Sequence, residues 1–171
     1  MITDSGNKLR EAIGAQIQRD LDQIGIQVDF QPIAFSALIN TIFNNLDWEC
    51  HIIGLAGGIE PHDNANIWFT DGRSHLFNLA PQSSQEPLEE RSISEWEMKI
   101  SQLYLQGAKT LDERQRQAIY HETQRLVAEY VPFVYLVNPF SLTAIRNRVN
   151  GVKYSALGAP FWNIHELMLE N

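Results

Sequence analysis

The 171 residues contain a single cysteine, Cys50, so neither an intrachain disulfide nor a multi-cysteine zinc site is available. Basic residues are scarce: 13 Lys and Arg stand against 21 Asp and Glu, a net charge of −8. That balance repels phosphate backbones and anionic lipid surfaces and argues against nucleic acid as a partner. Long apolar runs are missing as well, since stretches 52–58 and 131–137 are far too short to span a bilayer. The opening residues 1–7 have neither a basic start nor an apolar run, so no export signal is expected in this sequence. There is no internal repeat, no helix-spaced histidine pair, and no Lys-Ser or Lys-Thr after Gly57-Gly58 to make a phosphate cradle. What remains, 44% hydrophobic and 20% charged, is ordinary for one globular domain with a proper core.

Periodicity supplies the elements. Leu9, Ile13, Ile17, Leu21 and Ile24 recur at helical spacing over 8–24, with Thr3, Asp4 and Ser5 as candidate caps and Gly25 as the stop. Residues 26–30 alternate and predict a strand; Phe35, Leu38, Ile39, Ile42 and Phe43 predict a short helix ending at Asn44-Asn45. Residues 48–55 read as a second strand, covered on both faces, with Cys50 inert within it. Strand, helix, strand is a crossover unit with parallel neighbours. After a segment rich in Gly and Pro, of which 81–90 is expected to be mobile, two helices follow. One has a capping box at Ser92 with Glu95 or Ser94 with Glu97, the other at Thr110 with Glu113. Residues 133–137 read as a buried strand, 141–145 as a further extended piece, and 162–169 as a final strand. The class is α/β.

Chemistry concentrates where the apolar strand ends. Ligands in open parallel sheets bind beyond the carboxyl ends of strands. The loop there reads Gly57-Gly58-Ile59-Glu60-Pro61-His62-Asp63-Asn64-Ala65-Asn66-Ile67-Trp68. A carboxylate fixed by the following proline suits a ligand ammonium. The plainer reading gives Asp63, Asn64 and Asn66 turn hydrogen bonds and Trp68 a place in the core. A third sets Glu60, His62 and Asp63 to acid/base work, or joins them with His75 around a metal. His51, His121 and His165 read as structural or surface groups, and Trp48, Trp96 and Trp162 as core.

The order of several elements resembles the second-lobe segment of family 5 extracytoplasmic solute-binding proteins, the peptide- and nickel-binding components of ABC importers. These elements are Ser5-Gly6-Asn7-Lys8-Leu9, then Leu21-Asp22-Gln23-Ile24-Gly25-Ile26-Gln27-Val28. Next come residues 48–58 leading into Asp63-Asn64-Ala65-Asn66-Ile67, the 118–131 helix running into Pro132-Phe133-Val134-Tyr135-Leu136, and 146–151 before Val152. The resemblance implies one lobe of a two-lobed binding fold, a partial open sheet with a parallel βαβ unit and flanking helices. It places a lobe fragment at 1–137 and a segment returning toward the first lobe at 138–171, whose residues 161–169 are expected to pack poorly without that lobe.

It further implies a truncated, non-enzymatic importer component, extracytoplasmic in the full-length family, without cofactor or metal. Its partners would be a peptide, the absent first lobe and the importer permease, with self-association through the unpaired face. In peptide-binding members an aspartate in this loop grips the peptide ammonium. Glu60 falls at that position here, with Asp63-Asn64 where Asp-Pro is usual and Gly57 or Gly58 where an aromatic is common. The implied ligand-binding set is Gly57, Gly58, Glu60, His62, Asp63, Asn66 and Trp68. Outside this resemblance, a small hydrolase or metal enzyme using the same loop and a free-standing protein-interaction module remain the alternatives.

Overall fold

Thr3 is wholly buried, its hydroxyl donating to the Ile52 carbonyl at 2.9 Å, and the strand that carries it is the axis of the fold. The computed structural model describes residues 1–81, 91–140, 142–155 and 161–170. Strand β1 (Ile2–Asp4) pairs in parallel with β2 (Gln31–Ile33), Ile2 facing Gln31 and Asp4 facing Ile33. On its other edge, Ile2 exchanges backbone hydrogen bonds with Cys50 (3.0 Å) and Ile52 (2.9 Å), a parallel bridge centred on His51. The two ends of the expected crossover therefore flank β1 instead of pairing with each other.

Helix α1 (Lys8–Gln23) connects β1 to β2. Its N-cap is Asn7, whose side chain accepts from the Arg10 N–H at 3.1 Å, in place of the caps expected at Thr3, Asp4 or Ser5. Gly25 takes a left-handed φ of 82° and ends the helix, as anticipated. The alternating residues 26–30 form no strand. The Val28 carbonyl is taken by the Gln18 amide (2.6 Å), and the Phe30 ring lies against Gly14 of α1, where a Cβ would intrude. Ladder pairing begins only at Gln31, the first residue opposite β1. The second expected strand shortens for the same reason: β1 is three residues long, so pairing stops near Ile52, and residues 54–59 are exposed. Cys50 is exposed too, because this outer strand has one face to solvent.

Helix α2 (Phe35–Asn40) runs into a π-helical turn (Thr41–Asn45) closed by Leu46 at a φ of 55°. Leu38, Ile42, Leu76 and Leu79 form one buried cluster, against which Ile2, Ile33, Trp48 and Phe133 pack. The second cluster joins α3 (Ala65–Trp68), α4 (Glu95–Lys109) and α5 (Glu113–Tyr130) through Ala65, Ile100, Leu103, Tyr104, Tyr120 and Leu126. The Ser94–Glu97 capping box opens α4, one of the two registers anticipated. Helix α5 is capped by Asp112, accepting from the Gln115 N–H at 2.9 Å. The Thr110 hydroxyl instead donates to the Gln106 carbonyl.

Beyond α5 the chain departs from expectation. Residues 133–137 form no strand, and Val134 (78% exposed) and Tyr135 (71%) face solvent because no strand among the described residues lies beside them. Residues 142–145 are irregular. Val149–Asn150 (β3) pairs antiparallel with Met168–Leu169 (β4), and a 3₁₀ turn (Ile164–Glu166) interrupts the strand expected over 162–169. Phe161, Trp162, Ile164, Met168 and Leu169 are exposed, while Asn163 is fully buried and donates to the Gly151 carbonyl at 2.7 Å. The mobility expected over 81–90 falls, apart from Pro81, outside the described residues. No helix among the described residues is long and apolar enough to cross a membrane.

Candidate functional site

The loop leaves the sheet at the carboxyl end of its outer strand and folds into a 3₁₀ turn (Pro61–Asn64) that runs directly into α3. Glu60 caps this turn, its Oε1 accepting from the His62 N–H at 3.2 Å, and Pro61 supplies the fixed φ of the first turn. The same oxygen accepts from the Arg116 guanidinium of α5. Arg116 also donates to the Gly107 carbonyl at 3.0 Å and lies 5.3 Å from the Tyr120 ring centroid, so the loop is fastened to the α4–α5 hairpin. The Arg116 hydrogen bond, reinforced by the His62 N–H, holds the Glu60 carboxyl below its ordinary range against the opposing effect of desolvation. Glu60 Oε2 has no hydrogen-bond partner among the described residues.

The other expected site residues spread over two faces. Gly57 and Gly58 are exposed, and a Cβ on Gly58 would run into the Asp63 carboxylate, which folds back over the glycine backbone. His62 is half-buried, its ring 6.3 Å from Tyr104 and 5.9 Å from Phe69. Asn66 is exposed, and its carbonyl accepts from the Ser74 N–H at 3.2 Å. Trp68 points into the helical layer, stacked 6.3 Å from Tyr104 and edge-on to Phe133 at 5.9 Å. Glu60, His62 and Asp63 thus share one turn, while Trp68 stands behind it across Tyr104.

His75 does not join them. It is buried, with Nδ1 at 2.9 Å from the Ile67 carbonyl and Nε2 at 3.4 Å from the Glu97 carboxylate. Among the described residues, no group of three His, Cys, Asp or Glu side chains is placed to hold a metal ion. His51 packs edge-on to Trp48 at 4.3 Å, and burial pushes its ring pKa down. Arg116 is the participant that sequence reasoning missed. It lies 56 residues from Glu60, and its one local signal is Tyr120 a helical turn ahead.

No protein-family model matches the chain. Over 157 residues it is 25% identical to the oligopeptide-binding protein AppA of Bacillus subtilis (strain 168), a match covering 89% of this chain and 26% of AppA. The chain is homologous to a segment of that protein. The solved structure of AppA from Bacillus subtilis in complex with a nonapeptide superposes with a TM-score of 0.72 at 24% identity, covering 99% of this chain and 31% of AppA. The chain therefore has the mixed α/β fold of a single lobe of that protein and spans about a quarter of the length of the curated relative. The likeness extends past the sheet to the α4–α5 hairpin that holds Glu60, since nearly the whole chain superposes.

Proposed function

We propose that this chain is the peptide-contacting portion of the solute-binding component of an ABC importer. It holds peptide by non-covalent contacts of the 57–68 loop and makes or breaks no bond. The observation that carries this reading is the homology to an oligopeptide-binding protein over 89% of the chain. The loop supports it by its place at the carboxyl end of parallel strands, where ligands of open sheets settle. Glu60 Oε1 is occupied by His62 and Arg116, leaving Oε2 to accept from a peptide ammonium. Gly57 leaves its backbone open to strand-like hydrogen bonds with the ligand, Gly58 lies beside it under the Asp63 carboxylate, and His62 and Asn66 border that path. Trp68 backs the loop from the helical layer.

In this reading a complementary lobe supplies the opposite wall of the cleft, the assembled protein works outside the cytoplasmic membrane, and a permease receives the peptide. One wall desolvates a ligand from one side only, so this chain alone binds weakly. Calorimetric titration with short peptides carrying free or acetylated N-termini tests the reading. Acetylation lowers affinity for the unmodified chain by about tenfold or more and leaves affinity for Glu60→Gln unchanged. Equal affinity for both peptide forms removes Glu60 from the site.

A further inference from the structure

We infer that His75 and Glu97 form a proton-dependent latch. In it His75 carries a proton on both ring nitrogens and so ties α3, the end of the 57–68 loop, to the start of α4. The ring is 1% exposed and the carboxylate 4%, so both groups are cut off from bulk water. His75 Nδ1 lies 2.9 Å from the Ile67 carbonyl of α3, and Nε2 lies 3.4 Å from Glu97 Oε1 of α4. A carbonyl oxygen only accepts, so Nδ1 holds a proton. A neutral ring would then turn the bare lone pair of Nε2 toward the carboxylate.

Glu97 is held in its charged form. Its Oε2 accepts from the Ser94 N–H at 2.6 Å and the Ser94 hydroxyl at 2.8 Å, and Oε1 accepts from the Asn78 amide at 2.8 Å. These donors, with the His75 ring, keep the carboxyl below 4.5 against the effect of burial. Two lone pairs 3.4 Å apart in a dry interior repel, and Nε2 has no hydrogen bond among the described residues to offset that repulsion. A proton on Nε2 turns the same contact into an ion pair. The Phe77 ring, 4.1 Å from the imidazole, adds a π-face toward the cation.

The other charged groups nearby do not take that proton's place. α3 carries none, and Leu38 and Ile42, which cluster with the neighbouring Leu76, are apolar. Asp71 and Arg73 of the ring's own loop and Glu95 and Lys99 of α4 are exposed. Arg91 donates to the Thr70 carbonyl at 2.6 Å and to the Asn78 carbonyl, and stays charged throughout. The latch is therefore closed above the lowered Glu97 value, where the carboxylate is ionised, and opens as rising pH removes the Nε2 proton. Glu97 is pinned by the cap of α4, so opening frees the His75 side, where the Ser74 N–H also holds the Asn66 carbonyl of α3 at 3.2 Å. By this route pH reaches the candidate loop, and the inference rests on no ligand.

Nitrogen–proton NMR of the His75 ring at about pH 7.5, where a histidine without such partners is mostly neutral, tests the latch. Both ring nitrogens are protonated in the unmodified chain. In Glu97→Gln the proton affinity of the ring falls about tenfold or more and Nε2 is bare at the same pH. The amide shifts of Ile67, Trp68 and Ser74 follow the ring's titration in the unmodified chain, and that step disappears in His75→Gln. A bare Nε2 in the unmodified chain, unchanged ring protonation in folded Glu97→Gln, or loop amides indifferent to the ring's titration overturns the proposal. If neither variant folds, the ring and amide titrations of the unmodified chain decide it alone.

Discussion

Arg116 reaches from α5 to a single oxygen of Glu60, Oε1, which the His62 N–H also approaches. Two donors on one oxygen fix the orientation of the carboxylate and leave its other edge open. The pair thus adds a polar tie between the loop at the end of the sheet and the helical hairpin behind it, which Ala65 and Trp68 already join through the shared apolar cluster.

Removing the guanidinium reports on this arrangement. Glu60 titrates below the ordinary glutamate value of 4.5, chiefly because of the Arg116 hydrogen bond. In Arg116→Gln its pKa rises toward that value, as read from the side-chain carboxyl carbon shift across an acid titration. An unchanged titration would show that Arg116 does not hold Glu60 in solution.

Glu97 is one of the carboxylates through which acid destabilises the fold. Its carboxylate is 4% exposed, and burial acts to raise its pKa. The Ser94 N–H, the Asn78 amide and the Ser94 hydroxyl, with the adjacent His75 ring, outweigh that effect and hold it below 4.5. A folded-state value below the unfolded one means that the stabilisation is complete above pH 4.5 and is lost as pH falls through the lower value. Glu97→Gln costs about 1–3 kcal/mol at neutral pH, from the cap and the buried hydrogen bonds. It also flattens the fall in stability on acidification, measured by urea unfolding at a series of pH values.

Val131→Gly tests the strain at the end of α5. Val131 is 56% exposed, so truncation removes little packing, and glycine adopts its φ of 45° freely. The variant gains about 1 kcal/mol in denaturant unfolding, the lower end of what such strain costs. A loss of stability would mean that the valine side chain contributes more through contact than its conformation costs.

The long helices were legible because their apolar residues repeat on one face and their stops are local: Gly25 after α1, Pro132 after α5, Ser94 with Glu97 before α4. The strands were not, because pairing and not pattern decides them. Residues 26–30 alternate as a strand should, yet β1 offers its edge only from Gln31 onward, and 133–137 have apolar side chains but no adjacent strand among the described residues. Glu60 was visible as a carboxylate braced by proline, and the structure adds what brace it has. Arg116 was hidden by sequence distance, and periodicity could not show that the Trp68 ring stacks on Tyr104 within the helical layer.

Capture of peptide by the 57–68 loop through Glu60 is tested by amide NMR mapping of this chain during titration with a short free-amino peptide and its acetylated counterpart. The free peptide shifts Gly57, Gly58, Glu60 and Asp63 together and saturably, and acetylation or Glu60→Gln suppresses those shifts. Shifts that fall elsewhere, or that are the same for both peptides, would contradict it.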